Sequence, residues 1–142
     1  MRNTYVLSID CNKSNLESVD RILNIISDKE NGHNYWELCL VEEESDPFIN
    51  FVNVFLDILD GKYDDLSQVG IERENIIIWR YYEYDRECNL EMSPAKMKKL
   101  GEQGISLCIS CWQSSGSNSS DVTNPNTCSD DNSANTYQTL GE

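Results

Sequence analysis

Histidine occurs once in the 142 residues, proline three times, and Lys and Arg together only 11 times against 25 Asp and Glu. Each scarcity excludes something. A single imidazole, His33, provides no histidine pair for a zinc site and only one base for a Ser-His-Asp or Cys-His set. The shortage of cations, with a formal net charge of −14, argues against direct nucleic-acid binding, which needs Lys and Arg clustered against phosphates. No uninterrupted apolar run exceeds four residues, as at Ile76 to Trp79. That is well short of the roughly 20 residues that span a bilayer, so no membrane segment is expected. Met1 to Asp10 lacks the apolar centre and small-residue cleavage site of a secretory signal, and a cytoplasmic location is expected. The Gly-rich nucleotide loops, the paired-histidine zinc-protease motif and the G-x-S-x-G elbow are missing too, so neither enzyme chemistry nor a cofactor is expected.

Composition changes at Ser114. Residues 114–142 are rich in Ser, Asn and Asp, with Val122, Tyr137 and Leu140 as their only large apolar side chains. Such a segment cannot bury enough surface to offset about 1 to 2 kcal/mol of backbone ordering entropy per residue, and a disordered tail is expected. It carries Asp121, Asp130, Asp131 and Glu142 and no Lys or Arg, so residues 1–113 hold 21 acidic and 11 basic side chains, a net of −10. The acidity belongs to the part expected to fold as one globular domain, residues 1–113.

That part reads as alternating strands and helices. Thr4 to Asp10 alternates as a strand with Tyr5, Leu7 and Ile9 on one face. Ser14 and Glu17 have the spacing of a capping box, and Leu16, Val19, Ile22, Leu23 and Ile26 form the apolar stripe of a helix after it. Asp28 to Asn34 reads as a turn, and Tyr35 to Val41 as a strand with Trp36, Leu38 and Leu40 on one face. Asp46-Pro47 predicts a helix start, Phe48 to Leu59 supply its apolar face, and Asp60-Gly61 its end. A short helical turn is expected near Asp64 to Val69, and Asn75 to Tyr84 should be the longest and most central strand, returning through a hairpin over Asp85 to Met92. Ser93-Pro94 predicts a last helix with Met97 and Leu100 buried and Gly101 or Gly104 as its stop, followed by a strand over Ile105 to Trp112. This order predicts an α+β fold, a single mixed β-sheet with helices packed on a face, built from ferredoxin-like-related strand-helix-strand units.

Six cysteines invite a disulfide or zinc reading, and Cys108 and Cys111 have C-x-x-C spacing. In a strand, however, side chains three apart point to opposite faces and cannot share one metal. Cys11, Cys39, Cys88 and Cys108 therefore read as reduced apolar fillers, and Cys128 as an exposed thiol. His33 reads as a solvated loop residue. Asp57, Asp60, Asp64 and Asp65 cluster, but Asp130-Asp131-Asn132 lacks the glycine and terminal glutamate of an EF-hand loop, so no metal site is expected. The acidic runs Glu42, Glu43, Glu44 and Asp64, Asp65 suit the docking of a basic protein, because complementary potentials speed encounter. Trp79, Tyr81, Tyr82 and Tyr84 divide between two strand faces. With Arg80, the pair Tyr82 and Tyr84 is the candidate contact surface, expected on the open face of the sheet.

The stretch from Asn89 to Trp112, with its Met92-Ser93-Pro94 helix start, leucine-bearing helix, short turn and closing strand, resembles the end of the bacterial domain of unknown function family 4279. Tyr5 to Ile9, Leu16 to Ile26 and Trp36 also sit where that pattern places them, so the resemblance runs over about Thr4 to Trp112. The closing strand departs from it, with Cys108 and Ser110 at acidic positions and Trp112 in place of a tyrosine. The family offers no catalytic residues to carry over. The resemblance implies an immunity-type protein that neutralises a bacterial toxin, and the acidity of residues 1–113 makes a basic toxin domain the expected partner. The rival expectations are a structural or regulatory domain that self-associates into a homo-oligomer through an exposed sheet, and an enzyme acting through His33 or a carboxylate pair.

Overall fold

Alternation in the strands and the three- and four-residue spacing in the helices place their apolar side chains in one shared layer. In the computed structural model, which describes residues 2–28 and 34–114, the strands are β1 (Asn3–Asp10), β2 (Tyr35–Glu42), β3 (Ile76–Tyr84) and β4 (Ser106–Gln113). The helices are α1 (Leu16–Leu23), α2 (Phe51–Leu59), α3 (Tyr63–Gln68) and α4 (Pro94–Gln103). The four strands form one mixed sheet in the order β2-β1-β3-β4. β1 is antiparallel to both neighbours, and β3 and β4 are parallel. The α+β class with a single mixed sheet is therefore observed. Of the two strand-helix-strand units only the second is a parallel crossover, through α4; the first returns antiparallel beside its own starting strand.

One face of the sheet carries the core. Tyr5, Leu7 and Ile9 meet Trp36, Leu38 and Leu40 on one side and Ile76 and Ile78 on the other, under Val19 and Leu23 of α1 and Phe51, Val52, Phe55 and Leu59 of α2. Burying a side chain of this kind is worth about 1.5 to 3 kcal/mol. Asp20 ties α1 to the sheet, since its Oδ1 accepts from Trp36 Nε1 at 2.7 Å and from the Ser27 amide at 3.0 Å.

Several local expectations are corrected. The Ser14–Glu17 box does not form: Lys13–Asn15 is a 3-10 turn, and α1 starts after Asn15, whose side chain instead donates to the Val69 carbonyl. α1 ends at Asn24 in the left-handed region, so Ile26 lies beyond it and is exposed while Ile25 is buried. Asp46 does not cap a helix, because its Oδ2 accepts from the Glu43 amide in a turn. α2 begins only at Phe51, leaving Phe48 outside, 69% exposed under Lys96. No strand forms over residues 85–93, since the parallel pairing of β3 with β4 needs a crossover and the chain there runs on into α4. Ser93 does cap α4, accepting from the Lys96 amide, and Gly104 ends it at φ +66; Met97, expected inside, is exposed.

The cysteine reading holds in part. Cys11, Cys88, Cys108 and Cys111 are free thiols, but of the expected fillers among them only Cys11 is buried; Cys108 is half-buried and Cys88 is exposed. Cys39, against expectation, is disulfide-bonded; its side chain is on the sheet face away from the helices. His33, Cys128 and the expected tail lie outside the described residues, apart from Ser114. Among the described residues no helix is long and apolar enough to cross a membrane.

Candidate functional site

The C-terminal ends of β2, β3 and β4 and the start of β1 meet at one end of the sheet. There Phe51, the first residue of α2, stacks its ring on Tyr5 at 4.3 Å and 9°. Beyond that stack, β3 continues the core-facing alternation with Arg80, Tyr82 and Tyr84, all half-buried, beside Ile109, Cys111 and Gln113 of β4. The Arg80 guanidinium lies 5.9 Å from the Tyr5 ring centre and 5.3 Å from that of Tyr82, within cation-π range. Tyr82 and Tyr84 stack at 6.5 Å. Arg80 Nε is buried and makes no hydrogen bond among the described residues.

This strip contains the expected aromatic and cationic residues on the other face. Tyr82 and Tyr84 share the helix-bearing side with Ile76 and Ile78; the open face instead carries Trp79 stacked on Tyr81 at 5.8 Å, with Trp112 at 6.5 Å from Tyr81. The expectation failed because Ile76 to Trp79 is apolar on both faces, so alternation alone does not say which face the helices take.

The acidic candidates do not form one surface. Glu42 points inward and is buried, its Oε1 accepting from Asn3 Nδ2 at 3.1 Å and from the Tyr5 hydroxyl at 3.4 Å, its Oε2 from the Ile49 amide at 2.6 Å. It is a brace between β1, β2 and the approach to α2, not a contact residue. Its place in the alternation of Trp36, Leu38 and Leu40 was the signal that a solvated reading of the Glu42-Glu43-Glu44 run passed over. Burial and the neighbouring Glu42 carboxylate push the Tyr5 phenol up to about 12. Glu43 is exposed and pairs with Arg2 at 3.3 Å, and Glu44 is exposed beside it. Both sit at the same end as Tyr82, because Asn3 pairs with Glu42 on one side and Tyr82 on the other. Asp64 and Asp65 are exposed in the first turn of α3, whose C-terminal cap Val69 is bonded to Asn15, beyond the opposite end of β1.

Between α2 and α4 a shallow groove of about 200 Å³ is lined by Asn53, Leu56, Asp57, Asp60, Lys99 and Glu102, with Lys99 donating to Asn53 at 2.8 Å. Ligand pockets usually enclose about 300 Å³ or more. Among the described residues no group of three or more His, Cys, Asp or Glu is placed to hold a metal. Sequence spacing gave no sign of a further contact at the strip: Cys88, in the segment after β3, comes within 3.2 Å of Cys111.

The fold is α+β, and one end of its sheet carries an ordered, half-buried Arg-Tyr-Tyr strip. No protein-family model, no curated protein and no solved structure matches the chain.

Proposed function

We propose that this chain is a non-catalytic protein-binding domain whose contact surface is centred on Arg80, Tyr82 and Tyr84, with Glu43 and Glu44 at its border. One observation carries the reading: a row of Arg and Tyr is held in strand register on the face that is core elsewhere, yet it stays partly exposed where Ile76 and Ile78 are fully buried. Residues of this kind supply much of the energy of protein interfaces, and their order before binding lowers the entropic cost of docking. A net charge of −10 over residues 1–113 favours a basic partner. The family resemblance makes that partner a bacterial toxin domain and the chain its immunity protein, acting in the cytoplasm.

The test is co-purification of the full chain with basic proteins encoded beside its gene, followed by titration. Tyr82→Ala and Tyr84→Ala together should weaken the complex by about 100-fold, the loss of two modest hot spots, and added salt should slow association. A complex indifferent to both substitutions would place the contact elsewhere, and no complex at all would remove the reading.

Self-association has one observation in its favour. The outer side of β4 has no strand beside it among the described residues, and Ile109 is 40% exposed next to it, an edge open to pairing with a second copy. Light scattering separates the two: a stable dimer broken by Ile109→Lys favours self-association, a monomer the heterologous binder.

A further inference from the structure

Cys88 and Cys111 are separated by 23 positions in sequence and their sulfurs by 3.2 Å in space. Both are exposed free thiols. A disulfide bond measures about 2.05 Å, so closure needs an approach of little more than about 1 Å. Cys111 is held in β4 opposite Tyr82, whereas Cys88 lies in residues 85–93, which form no helix or strand and can supply that movement. The competing pairings are poorly placed. Cys108 is opposite Trp79 on the other sheet face, and Cys11 is only 7% exposed.

We infer that Cys88 and Cys111 form a dithiol that a low-molecular-weight disulfide oxidises to an intramolecular bond, clipping residues 85–93 to the edge strand beside Arg80 and Tyr82. One cysteine loses its proton and attacks the small disulfide, whose S–S bond breaks and releases one small thiol. The second cysteine, also deprotonated, attacks the protein sulfur of the mixed disulfide and releases the other. The two protein sulfurs are oxidised, the small disulfide is reduced to two thiols, and the two protons pass to the departing thiolates. The hydrogen bond to Cys111 holds the Cys88 thiol above its usual range, with Arg80 opposing, so the exchange should quicken as pH rises. None of this depends on the strip binding a partner.

The experiment exposes the full chain to glutathione disulfide and follows intact mass and peptide maps under non-reducing conditions. The wild-type chain should lose two hydrogens, yield a Cys88–Cys111 cross-linked peptide and retain no glutathione at either position. Cys88→Ser should instead hold glutathione on Cys111, and Cys111→Ser should hold it on Cys88, because the resolving thiol is gone; both replacements are at exposed positions, and circular dichroism verifies their folding. Glutathione stably retained at both cysteines of the wild-type chain, or a cross-link joining either one to a different cysteine, would overturn the inference.

Discussion

The two halves of β3 are built on the same alternation and meet opposite fates. Ile76 and Ile78 are fully buried, while Arg80, Tyr82 and Tyr84, next on the same face, are half-exposed. Element length explains much of the difference. A strand of nine residues such as β3 extends about 30 Å, whereas α2, also nine residues, extends about 13 Å, so a helix layer of this length covers only part of the sheet beneath it. Where cover ends, side-chain chemistry changes from Ile to Arg and Tyr. One strand thus anchors the fold through its first half and presents a surface through its second.

The sharpest way to break that contrast is to truncate each half. Leu7 is completely buried between Leu38 and Ile78, so Leu7→Ala should destabilise by about 2 to 5 kcal/mol in chemical denaturation. Tyr84→Ala should cost less than about 1 kcal/mol. Equal losses would mean that the uncovered half is also part of the core. Glu42 marks the border between the halves, and Glu42→Ala leaves the Ile49 amide, the Tyr5 hydroxyl and Asn3 without their acceptor. A loss of about 2 to 3 kcal/mol is expected, against no measurable change for Glu43→Ala, whose partner Arg2 is at the surface.

The covered half was largely readable from the sequence and the uncovered half was not. Tyr5, Leu7, Ile9, Trp36, Leu38 and Leu40 are on the expected face because each strand alternates cleanly. At Tyr82 and Glu42 the pattern needed knowledge of which face the helices take, and that is a tertiary fact. The Asp46-Pro47 start failed because a local turn took the Asp46 carboxylate before any helix could. The hairpin over Asp85 to Met92 failed because β4 pairs in parallel, a choice that depends on where α4 docks. The Cys88–Cys111 approach follows from that docking as well, and no spacing rule foretells it.

A smaller effect tests the border through pH. The Tyr5 phenol, pushed up to about 12 by burial and by Glu42, has a higher value folded than the ordinary 10 expected unfolded. Its contribution is therefore complete below pH 10 and is lost as pH rises from 10 toward 12. Tyr5→Phe should be less stable at neutral pH for want of the hydrogen bond, but its denaturation midpoint should fall less steeply above pH 10 than that of the wild type. Parallel curves would mean that Tyr5 ionises as a solvated phenol and that the Tyr5–Phe51 stack does not close the core.

The smallest expected effect concerns the segment that follows β3. Among the helices α1 to α4, only α4 has a side-chain cap, Ser93 accepting from Lys96 at 3.4 Å with Pro94 in the first turn. At that length the bond is weak, so Ser93→Ala should cost about 0.5 kcal/mol, the low end for a cap. The loss should be local: faster amide exchange in the first turn of α4 and in residues 85–93, with β1 and the first half of β3 unchanged. Exchange that quickened across Leu7 and Ile78 as well would show that the two halves unfold as one cooperative unit, and that the division of β3 into anchor and surface is one of exposure without a matching division in stability.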